Sequence, residues 1–146
     1  MIHGDDQYNP KYLSEMLRII EKKKSICVCG SKMNFKIKAL KAKMPFYKFI
    51  GNIILTNFFN FLYNTNFSDC HTGLWLYDVN RIKKEINLKK LTNGYNFDNQ
   101  IRIEIVKKKA EISEVPIIAK YGDENSSIHL FYAIKFLFET FYRRFF

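Results

Sequence analysis

The segment PFYKFIGNIILTNFFNFLY, residues 45–63, constrains the fold of this chain more than any other. It is dense enough in apolar side chains to suggest a membrane span, but Lys48, Asn52, Asn57 and Asn60 interrupt it. The uninterrupted apolar length falls short of the roughly 20 residues a bilayer requires. Its length and the Pro45 that opens it predict a long helix, either buried or lying against a surface.

Around this helix, strand-like and helix-like patterns alternate. Asn9 and Pro10 suit the start of a helix, and Leu13, Met16, Leu17 and Ile20 recur at helical spacing, so a first helix is predicted over 10–23. SICVC (25–29), ending in Gly30, reads as a buried strand, followed by a basic loop through 32–43. LWLYD (74–78) and EISEVPIIAKY (111–121) read as strands. NFDNQIRIEIVKK (96–108) reads as a helix with Phe97, Ile101 and Ile105 on one face. Alternation of this kind implies α/β layering. There is no internal repeat and no Gly/Ser linker, hence no boundary between two independent units.

With 146 residues, 47% hydrophobic and 16% aromatic, the chain has enough material for one buried core. Its 24 Lys+Arg against 14 Asp+Glu give a net charge of +10, suited to an anionic partner: nucleic acid, an anionic membrane or a phosphorylated substrate. The basic runs, such as 21–24, 36–43 and 106–109, carry no recognition-helix or aromatic-platform motif, so no nucleic-acid partner is expected. Cys27, Cys29 and Cys70 show no disulfide-framework spacing, and no signal core follows the N-terminus. A reducing cytoplasmic compartment is the expectation. Cys27 and Cys29, two apart, are expected on one strand face as buried thiols, and Cys70-His71 is not expected to hold zinc.

Residues 128–146, IHLFYAIKFLFETFYRRFF, are apolar nearly all round except for Lys135, Glu139 and Arg143, spaced four apart for ion pairing on a helix. An aromatic helix with Arg143 and Arg144 near its end suits a bilayer interface, and equally suits packing on its own domain or on a partner.

The chain opens MIHGDDQYNP, placing His3, Asp5, Asp6 and Gln7 together. Carboxylate and amide oxygens of this kind suit Mg²⁺ or Mn²⁺, whose remaining ligands come from water and substrate phosphates; an acidic turn capping the first helix is the alternative. Four further blocks follow in order: GSKM (30–33), MPFYKFIGNIILT (44–56), SDCHTGLWLYD (68–78), and GYNFDNQI (94–101) leading to EVPIIAKYGDENSSI (114–128). Together these five blocks resemble the family 2 glycosyltransferases, in particular the branch similar to dolichyl-phosphate mannosyl- and glucosyltransferases, over almost the whole chain.

The resemblance implies a partial GT-A fold: α/β, with a mixed, mainly parallel sheet, flanking helices and an aromatic C-terminal helix, divided as 1–127 and 128–146. It implies transfer of a sugar from a nucleotide-diphosphate donor to an acceptor such as a polyprenyl phosphate, with Mg²⁺ or Mn²⁺ at Asp5, Gln7 and His3. His3 stands where the family's first aspartate falls, a replacement similar to that of the HGDGQY-type branch. Ser31 and Lys32 match a Gly-Ser-Arg block that meets phosphate, as hydrogen-bond donor and point charge; Lys in place of Arg keeps the charge and loses the fork. Gln7, His71 and Thr72 are further phosphate-binding candidates, and Asp69 and Asp98 catalytic candidates; Asp98 equally suits the N-cap of a helix beginning near 99. Trp75 stands where the branch commonly has Arg, and Gln100 where a second acid follows.

The family's nucleotide-cradling strands precede the metal motif, yet Met1 lies only four residues before Asp5. The expectation is therefore the downstream part of a split or truncated transferase working with an upstream polypeptide. A non-catalytic module that binds a membrane surface or a partner is the alternative.

Overall fold

The structure, a computed structural model, describes residues 1–2, 7–92, 94, 96–121 and 130–146, the side chains of Lys38 and Leu130 excepted. In chain order the elements are α1 (Tyr12–Lys23), β1 (Cys27–Ser31), α2 (Lys36–Lys41), α3 (Phe46–Tyr63), β2 (Trp75–Tyr77), α4 (Val79–Glu85), a 3₁₀ turn (Leu88–Lys90), α5 (Phe97–Lys107), β3 (Ile112–Pro116) and α6 (Leu130–Phe145).

Among the described residues the strands form one mixed sheet in the order β2-β1-β3. β1 runs parallel to β3, with Cys27 opposite Ile112 and Ser31 opposite Pro116. It runs antiparallel to β2, with Cys29 opposite Trp75. The predicted α/β layering is present, whereas the mainly parallel sheet becomes an even mixture, one pairing of each kind.

Every residue of β1 is buried because both faces of the sheet are covered. Cys27 and Cys29 share one face, as predicted, and pack with Trp75, Ile82, Ile86, Ile101 and Ile105, drawn from β2, α4 and α5. Val28 points the other way, into Met16, Leu74, Val115 and Ile117 beneath α1. This two-sided burial is why the strand reads as a continuous apolar run rather than an alternating one. All three cysteines are buried. Burial pushes the Cys27 and Cys70 thiols up to about 12, which makes them inert packing groups.

Several local expectations shift. Asn9 does not cap α1: its Oδ1 accepts the Lys11 N–H at 2.9 Å, closing a turn, and the helix begins at Tyr12. Leu17 is exposed. The basic loop contains the short helix α2. β1 extends through Gly30 and Ser31, so the GSK block starts on a strand. α4 was not foreseen; Asp78 caps it by accepting the Arg81 N–H at 3.0 Å.

α3 is the predicted long helix, and its polar interruptions have structural uses. Asn60 clamps the following loop, accepting from Phe67 N at 2.9 Å and Thr65 Oγ1 at 2.8 Å while donating to the Phe67 carbonyl at 2.8 Å. α6 packs on α3 and α5 through Phe136 and Thr140. Among the described residues no helix is long and apolar enough to cross a membrane.

Candidate functional site

The two parallel strands end side by side, with the Ile117 N–H donating to the Ser31 carbonyl at 2.9 Å. Beyond these ends the 68–73 loop crosses the sheet, and the sequence places most of its candidate residues here. Ser31 Oγ lies 2.6 Å from Ser68 Oγ and accepts from Asn34 N at 3.0 Å.

The centre of this edge is Asp69. Its Oδ2 lies 3.1 Å from the Lys32 ammonium and accepts the Lys32 backbone N–H at 3.2 Å. Its Oδ1 accepts from Asn52 Nδ2 at 2.9 Å and from His71 N at 2.8 Å. Burial alone would push this carboxyl up; the Lys32 ammonium, the Asn52 amide and the His71 N–H outweigh it and hold it below the usual carboxylate range. The Lys32 ammonium also donates to the His71 carbonyl. Although burial opposes its charge, Asp69 holds Lys32 above the usual lysine value.

The loop is fixed from several sides. Both Glu114 oxygens accept the Ser68 N–H, at 3.1 and 3.0 Å, and Ser68 Oγ donates to Oε2 at 2.9 Å. Burial, partly opposed by these bonds, raises the Glu114 carboxyl. Thr56 Oγ1 accepts from Cys70 N at 3.1 Å. The opening segment joins the same edge: the Tyr8 hydroxyl accepts the Gly73 N–H at 3.0 Å, and the Gln7 carbonyl accepts the Lys120 N–H at 2.9 Å. Thr72 serves its own loop, its Oγ1 accepting from Leu74 N at 3.3 Å and its carbonyl from Trp75 Nε1 at 3.0 Å.

His71 turns its ring toward α6, 4.6 Å from the Phe136 ring and 6.3 Å from that of Tyr132. Burial, reinforced by the Arg102 and Lys32 charges and opposed by Asp69, lowers its pKa to about 3, so the imidazole is neutral at ordinary pH. Its Nε2 has no hydrogen-bond partner among the described residues.

The sequence reading missed Arg102. Set in IRIEIV, it reads as one of many charges on a solvated helix face, yet only 1% of its surface is exposed. Its guanidinium carbon lies 4.9 Å from the Trp75 ring centroid and 5.7 Å from that of Phe59. A cation does therefore stand beside Trp75, supplied by α5 rather than by the strand.

Asp98 is half-buried in the first turn of α5, which begins at Phe97; it is not the N-cap. Gln100 is buried and bonded at both ends of its amide: Nε2 donates to Glu139 Oε1 at 2.8 Å and Oε1 accepts the Thr92 N–H at 2.8 Å. His3 and Asp5 lie outside the described residues. Among the described residues no group of three His, Cys, Asp or Glu side chains is placed to hold a metal. Of the expected metal donors only Gln7 is described, half-buried.

A surface cleft of about 770 Å³ opens beyond the 64–68 loop, lined in part by Tyr63, Phe67, Lys107, Glu111 and Arg144. Of the polar cluster, Glu114 also lines this cleft. Comparison with protein-family models, with curated proteins and with solved structures finds no match.

Proposed function

We propose that the chain is the phosphate- and acceptor-handling part of a metal-dependent glycosyltransferase, moving a sugar from a nucleotide-diphosphate donor to an acceptor of the polyprenyl-phosphate type. One observation supports this reading above others: sequence blocks far apart in the chain meet at one edge of the sheet. Ser31 and Lys32, Asp69 to Gly73, Asn52, Glu114 and the Gln7–Tyr8 segment are joined there by direct hydrogen bonds.

In this reading Lys32 is the phosphate-facing charge. An ammonium has three hydrogens; Asp69 and the His71 carbonyl hold two, and a donor phosphate takes the third. Asp69, with both oxygens accepting hydrogen bonds, positions Lys32 and the loop rather than moving a proton. Ser31 adds a hydroxyl at the same edge. Asp5, Gln7 and His3 offer the oxygen and imidazole donors that suit Mg²⁺ or Mn²⁺, which when bound neutralises the leaving diphosphate. A phosphate acceptor is already ionised and needs no base, so catalysis rests on position. A hydroxyl acceptor would draw on Asp98. Sugar transfer from a panel of nucleotide-diphosphate sugars to a polyprenyl phosphate, with and without divalent metal, tests this. Asp5→Ala and Lys32→Met are each expected to reduce transfer by about 100-fold or more. Undiminished transfer by either variant, or no transfer from any donor, overturns the assignment.

A specific observation favours a second reading, a membrane-surface module. α6 exposes Phe131, Ile134, Phe138 and Tyr142, the Phe146 that follows it is exposed too, and α3 exposes Ile54 and Phe61. Phe138, Tyr142 and Phe146 stack in sequence at 6.0 and 5.4 Å. The two arginines that suggested lipid contact are engaged with the protein, however: Arg143 pairs with Glu139 and Glu104, and Arg144 donates to the Leu62 carbonyl at 2.8 Å. Sedimentation with anionic and neutral vesicles, compared with a Phe138→Ser/Phe146→Ser variant, tests this reading. Binding independent of these side chains excludes it.

A further inference from the structure

We infer that Arg102, His71 and Tyr77 form a second anion site, beneath α6, that takes a phosphate group. This goes beyond the proposed sugar transfer and does not rest on it.

Arg102 stays protonated in proteins, and burying an ionised group without partners is costly. Here Nε, Nη1 and Nη2 are all buried and, among the described residues, none donates a hydrogen bond. Contact with the Trp75 and Phe59 rings offsets part of the charge's desolvation. A ring face, however, carries no lone pair for the N–H fork, so the guanidinium's capacity for a bidentate oxyanion is intact. Asp98, one turn earlier on α5, is near enough to act on the Arg102 charge but accepts none of these hydrogens.

Two further polar groups lie within electrostatic range of the Arg102 guanidinium. Among the described residues, His71 Nε2 is buried without a partner, and so is the Tyr77 hydroxyl, whose ring stacks 5.7 Å from Trp75 at an interplanar angle of 4°. A guanidinium fork, a neutral imidazole and a phenol match a tetrahedral oxyanion. A spherical halide would satisfy fewer of them. Phe136 and Tyr132, packed on the His71 ring, cover this face from α6, and binding an anion requires them to turn aside. α6 remains tied by Asn99 Nδ2 donating to Thr140 Oγ1 at 3.0 Å and by the Gln100–Glu139 bond at 2.8 Å.

The test uses the full chain, titrated with inorganic phosphate, with a short alkyl phosphate and with sodium chloride at matched ionic strength. Binding is read by calorimetry, thermal midpoint and the His71 ring NMR signals. The expected result is saturable binding of one phosphate-type ligand that shifts the His71 signals, with chloride giving no saturable response. Tighter binding of the alkyl phosphate would indicate an esterified phosphate as the natural ligand; equal binding would indicate a free one. Arg102→Met should raise the thermal midpoint without ligand, since an unpaired buried charge is removed, and weaken phosphate binding at least 10-fold. Arg102→Lys should keep part of it. Tyr77→Phe, with little change in shape, should weaken it several-fold, and serves if Arg102→Met does not fold. Lys83→Gln/Lys84→Gln, at exposed positions, should leave it unchanged. Phosphate binding that survives both Arg102→Met and Tyr77→Phe, or that falls equally in the surface-lysine variant, overturns the inference. If Arg102-dependent phosphate binding is found but no sugar transfer, the inference stands and the proposed function falls.

Discussion

Lys32 Nζ stands 3.1 Å from Asp69 Oδ2, and both side chains are shielded from solvent. Removing one partner leaves the other charged in the interior, so Lys32→Met and Asp69→Leu should each cost about 3–5 kcal/mol. The double variant should cost clearly less than the sum of the two, as read from denaturant midpoints in a double-mutant cycle. Asp69 lies below its ordinary range, so its contribution is full above that range and is lost as pH falls through the folded-state value. Lys32 lies above its ordinary value, so its contribution is full below the usual lysine range and is lost only at higher pH. The pair therefore stabilises across the whole neutral region.

His71 gives a different pH signature. Its folded-state pKa, about 3, is below the ordinary 6.5, so the unfolded chain takes up the proton first as pH falls. Between these values its contribution to stability should decline by about 1.4 kcal/mol per pH unit. His71→Asn should flatten that slope in denaturation curves measured from pH 7 to pH 4, and the His71 ring signals should show no titration above pH 4 in the phosphate-free protein. A midpoint near 6.5 would contradict the buried neutral ring.

Gly30 sits where the strand must pass close to its neighbours. A Cβ there would meet Ile117 Cδ1 at 2.6 Å, Leu74 Cδ2 at 3.1 Å and Ile117 Cγ2 at 3.2 Å. Gly30→Ala should destabilise by about 1–3 kcal/mol through overpacking. Adding Ile117→Val, which removes the closest atom, should recover part of the loss in thermal unfolding.

Gln100 bridges Thr92 and Glu139 through its amide. Gln100→Glu would set a carboxylate against Glu139 and take away the donor, at a cost of about 1–3 kcal/mol. The penalty should shrink as pH falls through the carboxylate range and in the Gln100→Glu/Glu139→Gln double variant. Equal stability of the single variant and the parent at pH 7 would show that the bridge carries no energy.

Much of the layering was legible because β1 carries it plainly: Cys27 and Cys29 recur with period two, and no other arrangement puts both on one face. The face of α5 followed from Phe97, Ile101 and Ile105 in the same way. The direction of β2 was not legible, since nothing in LWLYD records whether the chain returns antiparallel. α4 was missed although Asp78, Ile82 and Ile86 signal a cap and an inner face, because its lysines and arginine resemble a loop. At the candidate site, Lys32, Asp69 and His71 were named as candidates from their blocks, but their mutual contacts are long-range and leave no local pattern. Arg102 was hidden for a related reason: its burial comes from Phe59, Trp75 and α6, elements that lie far from it in the sequence.

Trp75 is the single tryptophan of the chain, fully buried, stacked on Tyr77 and in contact with the Arg102 guanidinium. Its emission therefore originates from one known place in the core. The indole has a cation against its face and its N–H bonded to the Thr72 carbonyl in the candidate-site loop. A change in that loop or in the charge beside it should alter the colour or intensity of the light before the fold itself gives way. The protein thus carries its own optical reporter at the point where sheet, helix and loop meet.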